Sequence, residues 1–533
     1  MTKTGFWAGI LPPVGVRYVY FAVFAGGMTT LAAELSAERL LGPVFGTTNL
    51  VLAGIIGLIL LYLTVGYFVG GAWADRTPSK ARFFQIMIVA GFALGLIPAI
   101  ARPVLQAAVA AVTAFNAPVA GGALLVVLAV FAVPVTLLGC LSPFAIRLVL
   151  TDSGQSGRIA GRVYAVSTLG SLIGTFLPAL VLIPRLGTHY TYVALGVFLL
   201  GVGVGGLALV DRKQALLWAA LLPLLVIIGW ATGQGRIKPG ANVLYEGEST
   251  YNYIQVVEVE GTRYLLLNEG QGLHSVYNPD NPATYGTWDF FSVGPFFNAP
   301  PVAPADVQRA GVIGLAAGTA IKQWTLIFGP IPMDGYEIDT QIVAVGREYF
   351  DMTEPHLTVI AGDGRFQLSQ RAAVYDTLAV DAYRLPYIPW QLTTVEFFTL
   401  AKAHLNPEIG SIVINVGRTP SDRRLIDAMA NTLLQVFPSV YVIDVPGSFN
   451  SIVVATVQPT EAGNLAANLA LLDPASQPLL VDILTRAVAN LTVPGESEVV
   501  FTDDHAPLEA LTNSIVVNYF LGEGLPLLLP PLN

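Results

Sequence analysis

The chain has 533 residues and a formal net charge of −9. Hydrophobic residues make up 54% of it and charged residues only 12%, whereas soluble proteins average about a quarter charged residues. The acidic balance excludes a nucleic-acid-binding surface, because no basic stripe is present to displace counterions. A single cysteine, Cys140, excludes an internal disulfide and a cysteine-based metal cluster.

Residues 1–231 are dominated by long apolar segments that carry few charges. Each of seven segments has about the twenty residues that a helix needs to cross a bilayer. These segments lie near residues 17–36, 48–71, 83–101, 122–146, 163–184, 190–210 and 214–231. The alanine-rich stretch 104–119 is shorter, and we interpret it as an interfacial or re-entrant segment. The sequence therefore predicts a multi-pass α-helical bundle in the cell membrane, in contact with the lipid bilayer.

Positive charge in this half collects in alternate loops. The basic positions lie in the loop 75–82, around Arg147, Arg158 and Arg162, and at residues 212–213. The positive-inside rule places these loops and the N-terminus in the cytoplasm. Seven spans then put the C-terminal domain outside the cell, and one span more or fewer puts it inside. The sequence leaves the side of that domain open.

A small charged cluster, Glu34, Glu38 and Arg39, lies near the end of the first span. Acids at such a depth can be proton or cation sites. The same pattern is also typical of a paired cluster at the membrane interface. Both interpretations stay open at this point.

The apolar character ends at a linker that contains Gly and Pro, residues 232–241. Residues 242–298 predict a β-hairpin subdomain, because apolar and polar residues alternate on both sides of a Glu-Gly turn. From residue 299 to 533, short apolar runs alternate with helical segments, and the runs are typical of strands buried on both faces. The sequence thus predicts a membrane bundle followed by an α/β domain with a doubly wound sheet.

The first predicted strand–helix loop of this domain carries small residues. Gly314 and Gly318 allow backbone amides to approach a ligand at the start of a helix. About twenty residues later, Glu337 closes the second strand, where an acid can accept hydrogen bonds from both hydroxyls of a ribose.

Acids also close the next two predicted strands. Asp363, followed by Gly364, closes the third strand and can accept a hydrogen bond from an adenine amino group. Asp381 closes the fourth strand. Ligands bind at the carboxyl ends of the strands in such sheets, so the sequence predicts a nucleoside site there.

A set of short motifs in the second half forms a specific combination. The motifs are Tyr251-Asn252-Tyr253-Ile254, Leu267-Asn268-Glu269-Gly270, the Gly314 loop, Tyr336-Glu337-Ile338-Asp339, Gly362-Asp363-Gly364, Tyr375-Asp376 through Asp381, and Leu392 to Phe398. With them, the region from Tyr245 to Ser514 resembles the spermidine synthase family, the polyamine aminopropyltransferases. The whole chain resembles the bacterial form in which this domain is fused to an N-terminal multi-span membrane domain.

The resemblance implies a Rossmann-like sheet of the class I methyltransferase type and an aminopropyltransferase activity. Decarboxylated S-adenosylmethionine would be the co-substrate, with no metal and no prosthetic group. The nucleoside-binding residues would be Asn252, Gly314, Gly318, Glu337, Asp363 and Gly364. Asp381 matches the catalytic aspartate of the family, and a small-molecule amine would be the acceptor.

The acceptor side departs from the family pattern. Arg384 replaces the family's second aspartate, and a cation there would repel a diamine. Asn252 replaces a glutamine, and the family's Tyr-His-Glu is Thr287-Trp288-Asp289 here. We assign Trp288, Asp289, Tyr383 and Arg384 to the acceptor pocket.

Two other functions fit the same sequence. The first is a methyltransferase that uses ordinary S-adenosylmethionine, which the substitution at Arg384 favours. The second is a non-catalytic sensor of nucleosides or polyamines, coupled to a transporter-like bundle. The sequence is also compatible with a homo-oligomer.

Overall fold

A computed structural model describes residues 14–45, 49–115, 119–150, 156–233, 242–268, 272–383 and 388–522. The chain forms two compact units. The first contains Met1–Gly240 and Glu246–Tyr253, and the second contains Ala241–Tyr245 and Ile254–Asn533.

The first unit is helical. Its described helices are α1 (Val14–Phe45), α2 (Asn49–Arg76), α3 (Lys80–Gly95), α4 (Ile97–Phe115), α5 (Val119–Val149), α6 (Ser156–Leu177), α7 (Ile183–Ala208), α8 (Arg212–Ala219) and α9 (Leu221–Gly233). Small residues bring these helices close together, as on α6, where a Cβ on Gly170 or Gly174 would lie 2.1 Å from a backbone oxygen of α1. Such close approach is how apolar helices pack when the hydrophobic effect does not drive them together.

By length and composition, five described helical segments can cross a membrane, or six if the bent pair Lys80–Gly95 and Ile97–Leu105 is one span. The predicted span 83–101 is therefore divided, because the chain bends by 44° between α3 and α4. Most of the predicted interfacial stretch belongs to α4, and its residues 116–118 lie outside the described residues.

The segment Ser156–Ala208 is too long for one span. Its 53 residues would extend roughly 80 Å as one straight helix, against about 30 Å of hydrocarbon. Gly187 interrupts it with φ 74° and ψ 167°, which are not helical angles. The predicted segments 163–184 and 190–210 lie on either side of this break.

A four-stranded antiparallel sheet follows, with strands in chain order. The strands are β1 (Val243–Glu248), β2 (Tyr253–Val259), β3 (Thr262–Leu267) and β4 (Leu273–Tyr277). Val259 pairs with Thr262, which leaves the two-residue turn Glu260-Gly261. Both turn residues have positive φ, as a type I′ hairpin requires. The predicted hairpin is confirmed.

The larger sheet has eight strands in the order β12-β10-β11-β9-β8-β5-β6-β7. They are β5 (Ala310–Ile313), β6 (Met333–Glu337), β7 (Leu357–Ala361), β8 (Thr377–Val380), β9 (Ser411–Gly417), β10 (Ser439–Asp444), β11 (Asn450–Thr456) and β12 (Leu491–Thr492). Strands β5 to β9 pair in parallel, and β11 lies antiparallel between β9 and β10.

Helices cover both faces of this sheet. They are α10 (Thr319–Phe328), α11 (Thr340–Tyr349), α12 (Gly364–Ser369), α13 (Val395–Ala403), α14 (Arg424–Leu434), α15 (Gly463–Leu469), α16 (Pro478–Ala489) and α17 (Leu508–Gly522). Successive strand residues point into opposite cores, so Val312 packs in one hydrophobic cluster and Ile313 in the other. The predicted Rossmann-like, class I methyltransferase-type fold is confirmed. It follows a region of apolar helices in the sequence.

Candidate active site

The direction in which the strands are added reverses between β5 and β8. From β5 the chain adds β6 and β7 on one side, then crosses to add β8 and β9 on the other. The loops that follow β5 and β8 therefore diverge, and they leave a crevice at the carboxyl edge of the sheet. Gly314 begins one of these loops and Asp381 begins the other.

The glycines of the first loop are required by the backbone. Gly314 and Gly318 have φ of 91° and 87°, in the left-handed region that other residues rarely adopt. A Cβ on Gly314 would lie 2.5 Å from the carbonyl oxygen of Asp381. Glycine at 314 therefore lets the loop after β5 pack directly against the predicted catalytic position.

Glu337 ends β6 with its carboxylate buried against the same loop. Its Oε2 accepts a hydrogen bond from the Ala316 amide at 2.9 Å, and its Oε1 accepts one from the Asp339 amide at 3.0 Å. Burial raises the pKa of Glu337 to about 7, although these amide donors favour the charged form. Each oxygen keeps a second lone pair, so the side chain can still accept two more hydrogen bonds.

Asp363 follows β7 and caps α12. Its Oδ1 accepts a hydrogen bond from the Phe366 amide at 2.9 Å. The next residue, Gly364, packs against β5, since a Cβ there would lie 2.4 Å from Cγ2 of Ile313. The structure thus brings Asp363 and Gly364 beside the strand that leads into the glycine loop.

Asp381 follows β8 directly and is half-buried. Its amide donates to the carbonyl of Ile313 at 2.8 Å, and its Oδ1 accepts from Nδ2 of Asn415 at 2.9 Å. Burial raises the pKa of Asp381 to about 7, partly offset by hydrogen bonds from Asn415 and Trp288. A carboxylate with a pKa near neutrality is suited to accepting or relaying a proton.

Asn415 was not among the residues that sequence reasoning assigned to the site. It lies on β9, and its Oδ1 accepts a hydrogen bond from Nδ2 of Asn450 at 2.8 Å. Oδ1 of Asn450 in turn accepts a hydrogen bond from the Ser448 hydroxyl. The available signal was the polar residue in the apolar run SIVINVG, which forms a strand buried on both faces. This chain of amides fixes the orientation of the Asp381 carboxylate.

Two predicted acceptor residues lie next to Asp381. Trp288 is in a 3₁₀ segment, Thr287–Ser292, and its indole donates to the Asp381 carboxylate. The hydroxyl of Tyr383 donates to the Asn415 carbonyl at 2.9 Å, and burial raises its pKa. The structure therefore groups Trp288, Tyr383 and Asp381, whereas Arg384 lies outside the described residues.

Asp289, the neighbour of Trp288, has a different environment. It is fully buried, and its two oxygens accept hydrogen bonds from five donors. The donors are the Thr284 amide and hydroxyl, the Tyr285 amide, the Gln323 side chain and Nη2 of Arg486. This geometry favours a structural role for Asp289 over the acceptor-binding role that the sequence predicts.

Asn252 and His274 belong to the smaller sheet and its loops. Asn252 lies between β1 and β2, in a segment that belongs to the first unit, and its role in nucleoside binding stays a prediction. His274 lies on β4 beside Ser275, whose Oγ accepts from the Ala317 amide of the glycine loop. Burial lowers the pKa of His274 to about 4, so the ring is neutral at pH 7.

The segment around Asp503, far along the chain, forms hydrogen bonds with α12. Arg365 donates to both oxygens of Asp503, at 2.8 and 2.6 Å. The Thr394 hydroxyl also donates to Asp503, and the Asp503 amide donates to Glu396. The Glu396 carboxylate is therefore engaged by this segment.

No family model matches the chain. It is 33% identical over 216 residues to a probable polyamine aminopropyl transferase of Bifidobacterium longum, covering 39% of this chain and 46% of that protein. It is 27% identical over 215 residues to the polyamine aminopropyltransferase of Vibrio vulnificus, covering 39% and 69%. A probable spermidine synthase structure from Corynebacterium glutamicum aligns with a TM-score of 0.37 and 22% identity, covering 44% and 87%.

The chain thus spans about half the length of the Bifidobacterium relative, and the similarity lies in the C-terminal part alone. The match to these curated proteins agrees with the resemblance that the motifs indicate. The C-terminal part of this chain is similar to the polyamine aminopropyltransferases.

Proposed function

We propose that this chain is a membrane-anchored aminopropyltransferase. It would move the aminopropyl group of decarboxylated S-adenosylmethionine to a small-molecule amine. The observation that carries the proposal is the position of Glu337 and Asp381 on either side of the glycine loop. Both have a pKa of about 7, and both keep lone pairs for a ligand.

Glu337 is suited to the ribose. Two backbone amides fix its carboxylate, one on each oxygen, and the remaining lone pairs can accept from two neighbouring hydroxyls. The amides of the glycine loop approach the same space. Asp363 uses Oδ1 to cap α12, which leaves Oδ2 for the adenine amino group.

Asp381 is suited to the transfer step. The acceptor amine is protonated at neutral pH and must lose a proton before its lone pair can attack. The amine nitrogen then bonds to the carbon next to the sulfonium, and the carbon–sulfur bond breaks with its electrons going to sulfur. The products are an aminopropylated amine and 5′-methylthioadenosine, and the proton passes to Asp381. The carboxylate also stabilises the positive charge on the amine nitrogen.

The Trp288 indole, which donates to Asp381, would border the space for the acceptor. The apolar helices of the first unit would anchor the enzyme in the cell membrane. This assignment is supported by their length and composition.

The products decide between this function and its alternatives. Purified protein should be incubated with an amine and either decarboxylated or ordinary S-adenosylmethionine, and the nucleosides analysed by mass spectrometry. We expect 5′-methylthioadenosine from the decarboxylated compound. S-Adenosylhomocysteine from the ordinary compound would instead identify a methyltransferase. Binding of the nucleoside without any product would favour a sensor.

A further inference from the structure

The helical unit contains a cavity of about 140 Å³ with a mixed lining. A carboxylate and hydroxyl groups from α1, α2, α5 and α6 line it together with aliphatic side chains. The polar lining consists of Glu34, Thr30, Ser142, Ser167, Ser171 and Tyr67. Leucine and valine side chains from α1, α2 and α5 supply most of the rest.

Glu34 is the charged group of this lining. It lies within the candidate span Gly15–Gly42 and is half-buried. Among the residues that the structure describes, no hydrogen bond or ion pair satisfies its carboxylate. An unpaired acid inside a membrane span is costly, and such residues usually have a functional partner.

The neighbouring hydroxyls present oxygen lone pairs rather than protons. The Thr30 hydroxyl donates to the Gly26 carbonyl at 2.8 Å, and the Ser171 hydroxyl donates to the Gly27 carbonyl at 3.1 Å. Because each hydroxyl proton is used in this way, the oxygens act as acceptors toward the cavity. One carboxylate with several acceptor oxygens is suited to a ligand that carries several N–H donors.

We propose that this cavity binds the ammonium group of a short-chain primary alkylamine. The cation would pair with Glu34 and donate to the hydroxyls, and its carbon chain would pack on the leucine and valine walls. The size agrees, since an engineered cavity of about 150 Å³ holds benzene and n-butylammonium has fewer non-hydrogen atoms.

A bare metal ion fits this lining less well. Alkali and alkaline-earth ions need a compact cage of about six oxygens, whereas this lining offers one carboxylate, Glu34, and hydroxyl groups that are spread over four helices. Among the described residues, no group of three or more acidic, histidine or cysteine side chains could hold a metal ion. The site is separate from the proposed transferase site, so the failure of either proposal leaves the other standing.

The test uses the full chain in detergent micelles and n-butylammonium chloride as the probe, measured by titration calorimetry at pH 7.5. We expect Glu34→Gln to weaken binding at least tenfold and Thr30→Val to weaken it several-fold. Glu38→Gln is the matched control, because Glu38 lies one turn along α1 and does not line the cavity. Asp381→Asn should leave this binding unchanged.

Binding to Glu34→Gln with the affinity of the native chain would overturn the proposal. So would displacement of the probe by an equal concentration of sodium chloride, which would indicate an alkali-ion site. If Glu34→Gln does not fold, as judged by gel filtration, Thr30→Val decides the question. Native-like affinity in that variant then counts against the site.

Discussion

Two regions of the sheet unit place aspartates in buried positions and use them in opposite ways. At the carboxyl edge, Asp381 accepts hydrogen bonds from Asn415 and Trp288 and retains a pKa near 7. In the 3₁₀ segment, Asp289 accepts from five donors, one of them an arginine. Trp288 is adjacent to both, because its indole donates a hydrogen bond to Asp381 and Asp289 is the next residue in the chain.

The difference lies in the number of donors that each carboxylate receives. A carboxylate offers about four acceptor sites, so five donors leave Asp289 no capacity for a ligand. Asp381 receives two donors and Glu337 receives three, so both keep capacity for a ligand. Spare acceptor capacity therefore separates the two acids that we propose to be functional from the structural acid, Asp289.

The largest expected effect is the loss of turnover on substitution of Asp381. Asp381→Asn keeps the shape but removes the proton acceptor, so turnover should fall by as much as about 10⁴-fold. Nucleoside affinity, measured by calorimetry, should change only a few-fold. An equal loss of binding and turnover would remove Asp381 from the chemical step.

The same variant tests the sign of the pKa shift. The pKa of Asp381 is raised on folding, so the folded state loses stability as the pH rises from the ordinary value of 3.8 to about 7, and the loss is constant above that range. Asp381→Asn should therefore melt at a higher temperature than the native chain at pH 8, with a smaller difference at pH 5.

Substitution of Asp289 is expected to lower the free energy of unfolding. Asp289→Ala leaves the buried Gln323 amide without its carboxylate acceptor, while Arg486 keeps Asp482, so the change should cost about 1–3 kcal/mol. The midpoint of urea unfolding, followed by tryptophan fluorescence in detergent, measures this cost. Asp482→Ala is the matched control, because Asp482 pairs with the same arginine but is 49% exposed. It should cost about 0.3–0.5 kcal/mol.

Glu337 should affect binding more than chemistry. Glu337→Ala removes two charge-assisted hydrogen bonds to the ribose and should weaken nucleoside binding by about 1.5–3 kcal/mol. Native binding should also weaken as the pH falls below about 7, because protonation removes an acceptor. Affinity that is unchanged in the variant, and independent of pH in the native chain, would rule out the ribose assignment.

The smallest effect concerns the residue that orients Asp381. The Asn415 amide favours the charged carboxylate, so Asn415→Leu should raise the pKa of Asp381 further. The acidic limb of the pH–rate profile should move to higher pH, while the rate above that limb changes little. Asn431→Leu serves as a control, since this amide donates to Val499 outside the site. A uniform loss of rate at every pH would indicate a merely structural role.

Sequence patterns predicted the carboxyl ends of β5 to β8 well, because each of these strands ends in or is followed by glycine or an acid. The order of β5 to β8 follows from that rhythm. The partners of Asp289 could not be predicted in this way. Arg486 is 197 residues away and is positioned by α16, so only the folded chain brings the two together.

The helical half shows a similar limit. Hydropathy located the apolar segments, but their ends depend on local backbone geometry. The bend at Leu96 leaves no mark in the apolar composition, whereas the break at Gly187 falls between two segments that hydropathy separates. The lack of a partner for Glu34 was equally invisible in the sequence, where Glu38 and Arg39 offered a ready ion pair.

The ion pair between Arg365 and Asp503 has a consequence for the order of events during synthesis. The two residues are 138 positions apart, and ribosomes add about 5–20 residues per second. Helix α12 is therefore made roughly 7–28 seconds before its outer partner emerges. The support of α12 on the proposed adenine side of the site therefore forms only after Asp503 has been translated.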